Sequence, residues 1–161
     1  MNLATMSHAS LLASYEAFTT HMTQGRIYRS PGVMTMMTDV DFAPFNSVCV
    51  QTNAAGEPAI AGGLERLLDR DYPFSVLFPT DPGEPMASFL EAHGLTKDDP
   101  IPLMTATAPS DMAWPNELTL DDSPDAMQRH RQMMVEIFDL PHSVIDPMVS
   151  SELWDDDNVY T

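Results

Sequence analysis

Histidines, one cysteine and several groups of aspartates are the residues of this sequence whose chemistry could support metal binding or catalysis. The five histidines are scattered along the chain, and none pairs with another at the short spacing typical of zinc ligands. No aspartate group has the twelve-residue order, central glycine and final glutamate of a calcium-binding loop. Helix caps and solvated turns explain these groups better, so the sequence predicts no metal site. The groups are Asp39 with Asp41, Asp98 with Asp99, Asp121 with Asp122, and Asp155–Asp157.

The sequence also lacks a recognisable nucleophile. Cys49 lies in an apolar stretch, without a nearby histidine or second cysteine to activate the thiol. No serine occurs in the Gly-x-Ser-x-Gly pattern of a hydrolase elbow. We therefore predict no catalytic residue and interpret Cys49 as a buried thiol. The methionines are typical of adaptable core packing, with a pliable pocket or interface as the alternative.

The charge of the chain restricts its partners. Twenty-four acidic residues face seven lysines and arginines, which gives a formal net charge of -17. Nucleic acid and an anionic membrane are excluded as partners because both require clustered basic residues. A basic protein or an amine substrate would be attracted, while solubility is the simpler interpretation. The single cysteine and the absence of a long apolar run lead us to expect a cytoplasmic protein.

Hydrophobic periodicity predicts alternating helices and strands, and therefore an α/β (α+β) domain with a mixed central sheet flanked by helices. Gly25 and Ser30–Gly32 are expected to end the first helix, and 72–79 to form an interior strand. Gly62 and Gly63 are each expected to weaken their helix by about 1 kcal/mol relative to alanine. The predicted helices are 8–22, 58–69, 84–93, 124–138 and 142–153; the predicted strands are 33–37, 45–52, 72–79, 99–108, 117–120 and a last one from 158.

Two stretches of the chain resemble GNAT-type N-acetyltransferases. Residues 60–108 are similar to the C-terminal half of such a domain, including a Leu-x-x-x-Gly-Leu turn within Phe89–Leu95. Residues 118–141 are similar to its first strand and first helix, with a Phe-x-Leu-Pro turn, and 157–161 match the next strand.

The resemblance implies the N-terminal part of a tandem GNAT-like bacterial protein. The implied organisation is an N-terminal helix (1–24), a degenerate half domain (25–110), a linker (111–116) and the start of a second, incomplete unit (117–161).

In this family, acetyl-CoA is held by a loop of the type Arg/Gln-x-x-Gly-x-Gly/Ala between a strand and a helix. The matching residues 51–63 contain no arginine or lysine, and Glu57 adds negative charge. Acetyl-CoA is thus implied by the resemblance alone, and no cofactor-binding residue is assigned. The resemblance also places four residues beside the acceptor pocket, with a helix–helix packing corner as the alternative. They are Phe138, Leu140, Pro141 and His142.

The leading hypothesis is a GNAT-like protein that is not catalytic alone. One alternative is an N-acetyltransferase that acts on an amine and is completed by a homodimer or a complementing chain, through an edge strand at 158–161. The other is an acidic binding or regulatory module for a basic partner.

Overall fold

The structure is a computed structural model that describes residues 3–52, 54–98 and 125–148. The expected strands at 99–108, 117–120 and 158–161 and the linker lie outside these residues. The α/β class is confirmed by helices packed on a four-stranded mixed sheet. The elements are α1 (Leu3–His21), β1 (Arg26–Ser30), β2 (Val33–Met37), β3 (Ser47–Val50), α2 (Glu57–Leu68), β4 (Ser75–Leu77), α3 (Glu84–Ala92), α4 (Ala126–Phe138) and α5 (His142–Met148), with a 3-10 turn at Ala43–Phe45.

The described strands follow the order β1-β2-β3-β4. β1 and β3 both pair antiparallel with β2, whereas β4 pairs parallel with β3 after the crossover through α2. β1 was not predicted, because Ser30–Gly32 was interpreted as a helix end. These residues instead form a two-residue hairpin turn in which Pro31 suits the first central position and Gly32 has a φ of 75°.

The predicted strand within 72–79 is confirmed, but in the described sheet it is shorter than expected and is not buried on both faces. Only Ser75–Leu77 pair, and all three residues are half-buried. Pro73 and Pro79 flank the paired segment, and neither has the N–H group that a longer ladder requires.

The two faces of the sheet are covered by different helices. Alternate residues of β2 and β3 point to opposite faces, which explains why every residue of both strands is buried. On one face, Leu12 of α1 packs with three residues of the sheet: Met34, Met36 and Cys49. On the other face, α2 contributes Ile60, Leu64 and Leu67, with α3 packed beside them; their partners in the sheet are Val33, Met37, Val48 and Val50.

The two glycines of α2 occupy different environments. A Cβ atom built on Gly63 would lie 2.8 Å from Thr35 Oγ1 and 3.0 Å from both methyl carbons of Val48. A Cβ atom on Gly62 would meet nothing within 4 Å. Gly63 therefore allows α2 to approach the sheet closely, whereas the expectation of a simple helix-weakening effect fits Gly62.

The helical pair α4–α5 packs against the first part of the chain through α5. Val144 is buried in a cluster with three residues: Met22, Val40 and Phe45. A left-handed residue, Asp139, with a φ of 51°, ends α4 and allows the turn into α5. The division of the chain at 111–116 stays a prediction, because the linker lies outside the described residues. Within the described ranges, no helix is long and apolar enough to cross a membrane.

Candidate functional site

A shallow depression of the described surface lies near the end of β2 and the end of α2. It encloses no room even for a water molecule, whereas an ordinary small-molecule site has roughly 300–1,000 Å³. The depression is therefore a surface feature and cannot enclose a cofactor. The lining residues are Met37, Asp39, Asn46, Leu67, Arg70, Tyr72 and Phe74.

Asn46 holds the wall of the depression in place. Its Oδ1 atom accepts hydrogen bonds from the backbone N–H groups of Thr38 (3.0 Å) and Asp39 (3.3 Å). Its Nδ2 atom donates to the carbonyl oxygens of Val40 (2.7 Å) and Pro73 (3.2 Å). The side chain is 3% exposed, so these bonds replace those that water would otherwise supply. Asn46 thus ties the segment after β2 to the segment before β4.

Asp39 and Arg70 carry the charge of the depression. Arg70 Nη1 lies 3.4 Å from both carboxylate oxygens of Asp39. Asp39 has a φ of 57°, a left-handed conformation that aspartate tolerates better than most residues. The pair presents a carboxylate and a guanidinium side by side, and the exposed Tyr72 lines the same depression. These residues include no activated nucleophile.

The loop that the resemblance assigns to acetyl-CoA lies between β3 and α2. The strand–loop–helix arrangement is present, and Gly56 caps a helix that begins with Glu57 and Pro58. Proline offers no N–H group, and the Glu57 carboxylate repels an anion at the helix end where phosphate would bind. The residues of this loop therefore do not fit a pyrophosphate group.

Helix α1 is fixed against the carboxyl end of β3. β3 and β4 pair as far as Cys49 and Leu77. The next carbonyl along β3, that of Val50, accepts a 2.9 Å hydrogen bond from Nε2 of the buried His8. In open α/β sheets, ligands bind outside the carboxyl ends of the strands. The hydrogen bond of His8 holds α1 beside this edge of the sheet.

The four predicted pocket residues lie at the turn between α4 and α5. Leu140 is half-buried and packs against the cluster of Met22, Val40, Phe45 and Val144. Pro141 is exposed, and its carbonyl accepts the first N–H bonds of α5. His142 is exposed, with Nδ1 3.8 Å from Asp146 Oδ1, and Phe138 ends α4. Their role beside an acceptor pocket stays a prediction, and these residues do not line the depression.

The other candidate groups are held by local packing. His93 Nδ1 donates to the carbonyl of Phe89 at 2.8 Å. The imidazole lies against the Phe89 ring, with the ring centroids 4.5 Å apart and the planes tilted by 49°. In the described residues, no three histidine, cysteine, aspartate or glutamate side chains are grouped to hold a metal ion.

Cys49 is fully buried, and burial raises the pKa of its thiol to about 12. We expect the native protein to react very slowly with Ellman's reagent near pH 8, because the thiolate is the reactive form and is scarce there. The denatured chain should release one equivalent, its full cysteine content. Immediate reaction of the native protein would contradict the buried position of Cys49.

The residues of the depression were not found from the sequence. Asp39 was interpreted only as part of a polar turn, and Arg70 and Asn46 carried no motif. Their contacts span 31 residues between Asp39 and Arg70, so a local pattern does not reveal them. The one available signal was Asn46 directly before an apolar strand. No family model, curated protein or solved structure matches the chain.

Proposed function

We propose that this chain is a GNAT-like protein that does not hold acetyl-CoA by itself and is therefore not catalytic alone. The fold supports the resemblance, because a helix crosses between two parallel strands and a second helix follows. The turn at the end of α3 also supports it. Gly94 has a φ of 81°, and the Leu95 N–H donates to the Leu90 carbonyl at 3.1 Å, a helix-ending geometry that favours glycine.

The residues in the first turn of α2 are the main support for this proposal. A donor site for acetyl-CoA needs unpaired N–H groups and positive charge aimed at the pyrophosphate. Here the helix begins with the glutamate carboxylate of Glu57 and with Pro58. The carboxylate and the missing N–H group in this turn act against an anionic cofactor at this edge.

Calorimetric titration of the purified chain with acetyl-CoA tests the proposal. We expect no saturable heat with acetyl-CoA or with free coenzyme A, because both carry the same pyrophosphate. Micromolar binding of either compound would overturn the proposal.

A second candidate function is a binding module for a basic partner. The exposed carboxylates of Asp69 and Asp71 flank Arg70 at the rim of the depression, in a chain of formal charge -17. A lysine-rich peptide should bind at low salt and dissociate as salt is raised toward about 1 M, where screening acts within roughly 3 Å. Binding that does not respond to salt would argue against an electrostatic partner.

Completion of an amine acetyltransferase by a second chain remains the other proposal. The strand expected to receive that chain, 158–161, lies outside the described residues. A homodimer, or a stable complex with a separate chain, is expected if this proposal holds. A strict monomer in sedimentation experiments that acquires no activity with candidate partners would eliminate it.

A further inference from the structure

Strand β1 forms one edge of the described sheet. The strand order is β1-β2-β3-β4, so β1 pairs with β2 alone among the strands that the structure describes. Alternate residues of an edge strand direct their N–H and C=O groups away from the sheet, where an extended segment of another chain can pair with them. β1 has five residues, whereas β4 at the opposite edge has three. β1 is therefore the longer of the two described edges.

The charge around β1 is opposite in sign to that of the whole chain. Residues 17–38, which contain β1 and β2, include no aspartate or glutamate, and they are the longest such stretch of a chain with a formal charge of -17. β1 itself carries two exposed arginines, Arg26 and Arg29, among only seven lysines and arginines in the chain. The edge strand is therefore a locally basic part of an acidic protein.

Arg66 of α2 adds a third positive charge beside β1. Its guanidinium lies over the Tyr28 ring, 4.3 Å from the ring centroid. Arg26 and Tyr28 are two positions apart and project on the same face of the sheet, the face on which Tyr28 packs against the α2 cluster. Stacking orients the guanidinium of Arg66 and leaves the N–H groups at its edge able to donate to a carboxylate. Arg29 projects on the opposite face, where Glu16 of α1 balances its charge.

We propose that β1 is a docking edge for an extended acidic segment of another protein. The segment adds a strand beside β1 through backbone hydrogen bonds, and its acidic side chains lie beside Arg26 and Arg66. A second copy of the chain is a poorer occupant, because two adjacent β1 strands would bring Arg26 and Arg29 of both copies together. The screening length at physiological salt is about 8 Å, so the arginines beside the strand outweigh the distant acidic residues.

The test is fluorescence anisotropy of the full chain with a short labelled peptide that alternates threonine and glutamate, which places every glutamate on one face of a strand. We expect saturable binding, and much weaker binding of the same peptide with lysine at the glutamate positions. A glutamate peptide with N-methyl groups along its backbone should not bind, because it cannot donate the hydrogen bonds of a ladder. The amide hydrogens of β1 should exchange more slowly in the complex.

Charge variants locate the binding to β1. Arg26→Glu is expected to lower the affinity about fivefold, near the upper limit for one exposed ion pair. Arg66→Gln should also weaken binding, and it replaces Arg26→Glu if circular dichroism shows that the latter perturbs folding. Lys97→Glu, at an exposed residue that follows α3, changes the net charge as much as Arg26→Glu and is the matched control, with the affinity of the parent.

Three results would overturn the proposal: no saturable binding, equal binding of the glutamate and lysine peptides, or binding that survives methylation of the peptide backbone. A dimer that dissociates in Arg26→Glu would also overturn it, because β1 would then be an interface between two copies of the chain.

Discussion

Replacing Asn46 with alanine is expected to lower the free energy of unfolding by about 3–5 kcal/mol. The side chain is 3% exposed, and its removal takes the hydrogen-bond partner from two backbone N–H groups and from the Pro73 carbonyl. The Val40 carbonyl keeps the N–H of Phe42. Each buried polar group left unsatisfied costs about 1–3 kcal/mol, partly relieved where water enters. Urea denaturation followed by circular dichroism measures the change.

Two further variants distinguish this network from a general effect of amide loss. Gln51→Ala removes an exposed carboxamide and should change stability by less than about 0.5 kcal/mol. Asn46→Asp keeps an acceptor for the N–H groups of Thr38 and Asp39 but cannot donate to the carbonyls when ionised. It should also be strongly destabilised. An Asn46→Ala protein as stable as the parent would show that the hydrogen bonds of Asn46 do not stabilise the fold.

Replacing Gly63 with alanine is expected to destabilise the protein, whereas the same replacement at Gly62 should stabilise it. Both changes gain about 0.5–1 kcal/mol of helix propensity. At Gly63 the new methyl group would press on Thr35 and Val48 of the sheet, and overpacking a core costs about 1–3 kcal/mol. At Gly62 the methyl group would meet nothing within 4 Å.

Both alanine variants gain the same helix propensity, so the difference between their free energies of unfolding measures the steric effect at Gly63. Thermal or urea unfolding of both proteins should place Gly63→Ala below the parent and Gly62→Ala above it. Equal stabilities of the two variants would contradict the close approach of α2 to the sheet.

The sequence predicts the elements of this fold where a hydrophobic period is long enough to see. Helices α2, α3 and α4 were located because each repeats apolar residues on one face over nine or more residues. β1 was missed because Arg26–Ser30 is short and polar, and because Pro31-Gly32 could be either a helix end or a hairpin turn. The length of β4 was overestimated, since an apolar run does not show that flanking prolines limit its pairing.

The candidate site could be predicted much less well than the fold. Asn46 and Arg70 act through contacts between segments that are distant in sequence, and a single sequence contains no sign of such pairs. The hydrogen bond between His8 and Val50 could not be predicted for the same reason, because the two residues are 42 positions apart in the sequence. By contrast, the weakness of the loop at 51–63 as a phosphate site was predicted from charge, which needs no tertiary structure. The pocket role of the four residues at the α4–α5 turn remains a prediction.

Titration of the nitrogen-15 labelled protein with acetyl-CoA, followed through the amide chemical shifts, shows directly whether the chain has a donor site. The informative residues are Thr52, Ala55, Gly56 and Glu57, whose N–H groups lie where the resemblance would place the pyrophosphate. We predict no saturable shift of these amides, because the loop has no cation and its helix begins with the Glu57 carboxylate and with Pro58, which has no N–H group. Saturable shifts centred on them would contradict it and assign the chain a working donor site.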